Sequence, residues 1–150
     1  MNYRFFLLSL TVLLVVSGCG NKVPLSGTVT FSDDGAPLVQ GIVFFESATL
    51  TAQGVIQPNG TYTVGTDKLT DGIPRDTYRV YLVGTEHIRS EPVGANEVNP
   101  VTGEINQRTR EIRTPIIDPK YANLETSGLT FTADGKTRTF DIQVDRYGGR

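Results

Sequence analysis

From Leu25 onward the chain alternates apolar and polar residues in short runs, and turn-forming residues interrupt these runs roughly every eight to twelve positions, the spacing of an all-β sandwich. A period of two sends successive side chains to opposite faces, so each run is a strand with one face available to a core. No stretch beyond Cys19 keeps an apolar period near 3.6. This pattern predicts an all-β fold, and sixteen glycines and eight prolines supply its turns.

The runs can be placed one by one. Leu25, Gly27, Val29 and Phe31 share one side of the first. Residues 32–37, with Asp33, Asp34, Gly35 and Pro37, form a turn. Gly41 to Glu46 is almost continuously apolar and is expected at the centre of a sheet. Ala52 to Gln57 and Thr61 to Gly65 flank Pro58-Asn59-Gly60, a hairpin pattern. Thr77 to Val83 sets Tyr78, Val80 and Leu82 together. Gly128 to Ala133 and Lys136 to Asp145 flank Asp134-Gly135, which reads as a two-residue type I′ turn. That register opposes Leu129 to Phe140 and Phe131 to Arg138, so the apolar sets meet on one face. The total is about seven strands, a single sandwich domain over 25–150. Between Thr85 and Ser127 the pattern fails. Apart from one possible strand, Arg110 to Ile116, this stretch is polar and turn-rich, so a long loop (85–127) is expected before the last hairpin. Such a loop is where a rigid sandwich would carry its contact surface.

The first residues obey different rules. Arg4 precedes Phe5 to Val16, an uncharged apolar run of about 12 residues, too short for the roughly 20 that cross a bilayer and suited to the core of a secretory signal. Small residues and the chain's one cysteine follow, in Val16-Ser17-Gly18-Cys19. This box resembles the lipobox of bacterial lipoprotein precursors. The resemblance implies a signal peptide over 1–18, cleavage before Cys19, and covalent diacylglycerol with an added N-acyl chain at Cys19. Two or more chains give stable anchoring, and lipidation removes a thiol that an exported domain would otherwise expose. Residues 19–24 are expected to form a short lipid-anchored tether. Gly20 stands where many inner-membrane lipoproteins have aspartate, so by that analogy the outer membrane is favoured, facing the periplasm or the surface.

Cleavage would leave 132 residues with 13 basic against 16 acidic side chains. One domain of this size can bury a core without disulfides. A mildly acidic chain with no basic block offers no footprint for nucleic acid.

"GTVTFSDDGAPLVQGIVFFE" (27–46), "NGTYTVGT" (59–66) and "DGIPRDTYRVYLVG" (71–84) resemble the carboxypeptidase regulatory-like, or transthyretin-like, domain. "IIDPKYANLETSGLTFTADGKTRTFDIQV" (116–144) is similar to the end of a group of small bacterial lipoproteins with that domain. The resemblance implies an immunoglobulin-like or transthyretin-like (prealbumin-like) sandwich used as an accessory module that braces a neighbour, binds proteins or holds sugars. Asp76 departs from the family pattern, which has glycine before the tyrosine. The carried-over motifs are turns and core strands, which specify a fold and no chemistry.

Catalytic patterns are weak. His87, the one histidine, stands beside Glu86 in the predicted loop, with no nucleophile placed next to it by a motif. The transthyretin-like fold includes hydroxyisourate hydrolases, but the ending Tyr147-Gly148-Gly149-Arg150 has their signature residues in the wrong order and the required histidines are missing. Asp33, Asp34 and Asp118 read as turn residues rather than calcium ligands. Lys120 and Lys136 are candidates for an internal Lys–Asx cross-link. Arg108, Arg110 and Arg113 with Glu111 read as a solvated edge, and Tyr62, Tyr78 and Tyr81 as core or corner tyrosines.

The expectation is therefore a non-catalytic, lipid-anchored envelope module without metal or cofactor. It would contact a protein through a surface that includes His87, Glu91, Arg110 and Tyr121. The alternative is a module that binds carbohydrate or peptidoglycan through exposed tyrosines.

Overall fold

Two facing sheets enclose an apolar core in the computed structural model, which describes residues 22–148 apart from 95–96, 99–100, 104 and 107. In chain order the strands are β1 (Lys22–Val23), β2 (Leu25–Phe31), β3 (Ile42–Glu46), β4 (Thr51–Val55), β5 (Thr61–Val64), β6 (Ile73–Pro74) and β7 (Thr77–Val83). Then come β8 (Glu86–Pro92), β9 (Glu97–Val98), β10 (Ile105–Asn106) and β11 (Thr109–Pro115), a 3-10 helix (Pro119–Ala122), β12 (Leu129–Thr132) and β13 (Ile142–Val144). One main sheet has the order β12-β7-β3-β4 and the other β13-β2-β5, seven strands in all. The expected β-sandwich is the fold observed.

The alternation placed the core correctly. Leu25, Val29 and Phe31 of β2, Val43 and Phe45 of β3, and Tyr78, Val80 and Leu82 of β7 are all buried. Phe45 lies at the centre, with the rings of Tyr62, Tyr78, Phe131 and Phe140 between 6.1 and 6.4 Å from its own. The phenol of Tyr78 donates to Pro74 O at 2.9 Å, and that of Tyr62 to Phe140 O, so each buried hydroxyl has a partner.

Four expectations need correction. The Asp134-Gly135 hairpin does not form: β12 pairs with β7, while β13 crosses to the other sheet and runs parallel to β2. A type I′ turn requires positive φ at both central residues. Only Gly135 has it, at φ 85°, since no described residue other than glycine has positive φ. The Asp134 carboxylate instead accepts from the N–H groups of Lys136 and Thr137 at 2.8 and 2.9 Å, and this local turn aims the chain across the core. Phe131 and Phe140 still meet, 5.2 Å apart, but from opposite sheets.

The turn at Pro58-Asn59-Gly60 does form, with Gln57 N donating to Thr61 O at 2.8 Å. Its arms nevertheless join different sheets, β4 beside β3 and β5 beside β2. They meet again at Gln53 and Gly65, bonded in both directions at 3.0 Å. The hairpin thus closes one edge of the sandwich.

Two residues expected within the 19–24 tether are part of the fold instead. Lys22 and Val23 pair with Pro74 and Ile73, and Lys22 Nζ donates to Thr66 Oγ1, Asp67 Oδ2 and Asp71 Oδ2 at 2.6, 2.7 and 2.6 Å. Finally, the loop expected over 85–127 contains a two-stranded ribbon. β8 and β11 pair over seven residues, from Glu86 opposite Pro115 to Pro92 opposite Thr109. Cys19 and the apolar run before it lie outside the described residues.

β7 relates the two ends of the sandwich. It starts beside the β1–β6 pair, where Tyr78 bonds Pro74, and after seven residues it passes through Gly84 into β8. At about 3.3 Å per residue, β7 spans roughly 20 Å from its first residue to the root of the ribbon.

Candidate functional site

Of the ribbon the sequence shows one arm, the possible strand Arg110 to Ile116, which corresponds to β11. The other arm leaves no periodic trace because periodicity reports a buried face, and the ribbon has none. In EHIRSEP and TREIRTP nearly every position is exposed, with only Glu86, Glu91, Ile112 and Pro115 half-buried. No described residue of 86–115 belongs to the core. A segment packed back on the sandwich would bury one face, so this ribbon stands away from the body.

Charge and register hold it together. Glu91 lies opposite Arg110 and accepts from Arg89 on its own strand, with Arg110 3.8 Å away. Arg113 is 3.8 Å from Glu86 on the facing strand and 3.2 Å from Glu111. Directly opposed unlike charges favour one register over a slipped one.

The two faces differ. Opposed residues of an antiparallel pair share a face, so His87, Arg89 and Glu91 lie with Arg110, Ile112 and Thr114. The other face carries Glu86, Ile88, Ser90 and Pro92 with Thr109, Glu111, Arg113 and Pro115. Three of the four residues expected at a contact surface (His87, Glu91 and Arg110) therefore come together on one face. The fourth, Tyr121, does not. It is only 8% exposed, within the core cluster, and its hydroxyl donates to Asp145 Oδ2 at 3.1 Å. It belongs to the packing under the ribbon root rather than to a rim.

The ribbon's edges are protected. Val93 N donates to Arg108 O at 2.8 Å and Ile116 N to Thr85 O at 2.9 Å. By that alternation the backbone groups of Glu86, Ile88, Ser90 and Pro92 on β8, and of Thr109, Glu111, Arg113 and Pro115 on β11, face outward. Each outward row contains one proline, which lacks an N–H, and at least one charge. Both features discourage addition of another strand. What remains available is the faces.

At the root of the ribbon an open hollow of about 400 Å³ is lined by Gln40, Val83, Thr85, Glu86, Ile88 and Arg113 among others. Gln40 Nε2 donates to Gly84 O and Glu86 O at 3.3 and 2.9 Å, fixing the angle at which the ribbon leaves. Beside the hollow lie the outer-face residues of the four-stranded sheet, where Val55, Ile42 and Val83 form one row and Gln53, Phe44 and Tyr81 the next. The Phe44 and Tyr81 rings are stacked at 5.2 Å with 11° between planes. A sugar needs the open face of a ring, and in this pair two of the four faces are spent on each other.

The remaining candidates resolve into structural roles. Asp33 and Asp34 bind Arg146 at 2.9 and 2.7 Å, whose guanidinium lies 3.6 Å from the Phe31 ring centre. Asp118 caps the 3-10 helix by accepting from Lys120 N. Among the described residues no group of three His, Cys, Asp or Glu side chains could hold a metal ion. Lys120 Nζ bonds Asp145 Oδ2 at 2.6 Å. This contact holds the Asp145 carboxyl down at about 2, with help from Ser32 and Tyr121, and raises the lysine. Amide formation needs a neutral amine and a protonated acid, so these shifts favour the ion pair over a cross-link.

No family model and no curated protein matches the chain. Among solved structures the chain is similar to a 9R-lipoxygenase from Cyanothece PCC8801, at 16% identity and a TM-score of 0.37, covering 95% of this chain and 19% of that one. The chain thus spans about a fifth of that enzyme's length, and a likeness this distant carries no argument about activity.

Proposed function

We propose that this protein is a lipid-anchored module of a bacterial envelope, of the carboxypeptidase regulatory-like kind, that works without catalysis by presenting its β8–β11 ribbon to another protein. The observation that carries this reading is the ribbon itself. It contributes nothing to the core, is exposed on both faces, and is nonetheless paired in one register over seven residues, with Glu91 set opposite Arg110. Four of the chain's ten arginines and none of its four lysines fall within 86–115, which is the bias of protein interfaces, where arginine is enriched and lysine depleted. The anchor in this reading is the lipid on Cys19, with the outer membrane favoured.

The carbohydrate reading has less support. Tyr62, Tyr78 and Tyr121 are buried, and Tyr81 is stacked on Phe44.

A photo-reactive residue at Thr114, on the face with Glu91 and Arg110, tests the proposal in intact envelopes. The expected result is a discrete protein adduct that Arg110→Glu abolishes while the thermal melt of the domain is unchanged. Adducts to glycan alone would replace this reading with the carbohydrate one. Separately, Cys19→Ser is expected to leave the precursor uncut and release it from membranes. Retention in the membrane fraction after a high-salt wash would refute the lipid assignment.

A further inference from the structure

We infer that the loop between β5 and β6, residues 66–71, makes a second contact with the lipid bilayer, with Leu69 entering the interface and Lys68 beside it at headgroup level. The inference rests on the lipid-anchor reading of Cys19 and adds to it a membrane-facing side of the folded domain.

The argument starts from reach. Two residues, Gly20 and Asn21, separate Cys19 from Lys22, and over these three steps of no more than about 3.6 Å each the lipidated cysteine lies within about 11 Å of Lys22. Lys22 is not free to swing. Its backbone pairs with β6, and its ammonium is held by Thr66, Asp67 and Asp71. Whatever surface lies around this loop is therefore held against the membrane.

The loop is built rather than slack. Asp71 Oδ1 accepts from Thr66 N at 2.8 Å, and Asp71 N donates to Lys68 O at 3.3 Å. At its tip Leu69 is 59% exposed, a large apolar side chain held out into solvent. It shares a hollow of about 270 Å³ with Val55, Thr61 and Thr63, and Val55 is itself 39% exposed. A single exposed leucine is unremarkable on a soluble surface. Here it lies beside the point where the chain must meet lipid, and apolar side chains near an anchored surface partition into the headgroup boundary.

Charge does not compete with this contact. Lys22 and Lys68 are matched by Asp67 and Asp71, so the attachment is apolar and should be insensitive to salt. Lys68 can extend its stem along the interface with its ammonium in water.

The test uses the lipidated protein reconstituted into phosphatidylethanolamine–phosphatidylglycerol vesicles. Because Cys19 is the chain's one cysteine and carries the lipid, a fluorophore can be attached at Thr70→Cys or, as a control on the ribbon, at Ser90→Cys. Quenching by brominated lipids is expected to be at least about twofold stronger at 70 than at 90, given burial of about 5–10 Å for an interfacial apolar face. Adding Leu69→Asp should lower the signal at 70 to the ribbon level, with vesicle flotation and thermal melt unchanged. Equal quenching at both sites, or a Leu69→Asp protein quenched like its parent, would overturn the inference while leaving the anchor intact. Protein that fails to float with vesicles at all would refute the anchor, and this contact with it.

Discussion

Gly27→Ala tests the topology most sharply, because it separates the observed crossing of β13 from the hairpin its sequence suggests. A Cβ built on Gly27 would lie 1.9 Å from Phe140 O, 2.7 Å from Phe140 C and 2.9 Å from the Tyr62 hydroxyl. The first two are backbone atoms, so no rotamer change relieves the contact. The segment carrying Phe140 must retreat by more than an ångström. That retreat breaks Ser26 N to Arg138 O at 3.1 Å, Phe140 N to Ser26 O at 2.9 Å and the Tyr62 hydrogen bond to Phe140 O. Three such bonds are worth about 1.5–4.5 kcal/mol net, and stranding the buried Tyr62 hydroxyl adds to this. The entropic gain of replacing glycine with alanine is about 0.4–1 kcal/mol, too small to reverse the sign. The expected loss is about 3–5 kcal/mol, read by urea unfolding followed with far-ultraviolet circular dichroism. If residues 136–145 folded back on β12 as a hairpin, only the Tyr62 hydroxyl, the far end of a side chain, would approach a Cβ at Gly27. A variant within about 1 kcal/mol of the parent, or more stable, would refute the parallel pairing of this segment with β2.

Further expectations follow from the core and the charges. Phe45→Ala removes the ring that four other aromatics surround, and it should cost about 3–5 kcal/mol, a drop in Tm of roughly 10–20 °C for a domain of this size. Asp145 titrates lower folded than unfolded, chiefly through Lys120, so its stabilisation is complete above the unfolded carboxylate value of about 3.9 and is lost as pH falls through about 2. Accordingly the Tm gap between the parent and Asp145→Asn should close between pH 4 and pH 2. A gap that is constant over that range would mean the carboxylate is not held by Lys120. Replacing 86–115 with a short glycine turn should leave the melt of the sandwich nearly unchanged, since no described residue of that span enters the core. A loss of cooperative unfolding would show that the ribbon supports the fold.

Much of the sandwich was legible in the sequence because its signal is local. Alternation in Leu25–Phe31 and Thr77–Val83 reports which side chains are buried, and those side chains are buried in the structure. Which sheet each strand joins is another matter. The run ending in Val144 has the same inward face whether it pairs with β12 or crosses to β2, because a sandwich core accepts apolar side chains from either side. The observed crossing goes with a φ at Asp134 that is not positive and with the space that Gly27 leaves for the Phe140 carbonyl. Neither appears in a hydropathy pattern.

The candidate surface divides in the same way. His87, Glu91 and Arg110 were chosen as polar residues in an irregular stretch, and pairing of β8 with β11 set them on one face. Tyr121 looked like their equal, yet a few residues beyond the ribbon it is buried against Asp145. By itself the sequence determined the β class, the core faces, the turns that glycine and proline enforce, and the lipobox-like end of its first apolar run. Tertiary structure decided the strand partners, the standing ribbon and the pinning of Lys22 against loop 66–71. These depend on residues far apart in the chain that meet only after the core has formed, and no period within one strand records them.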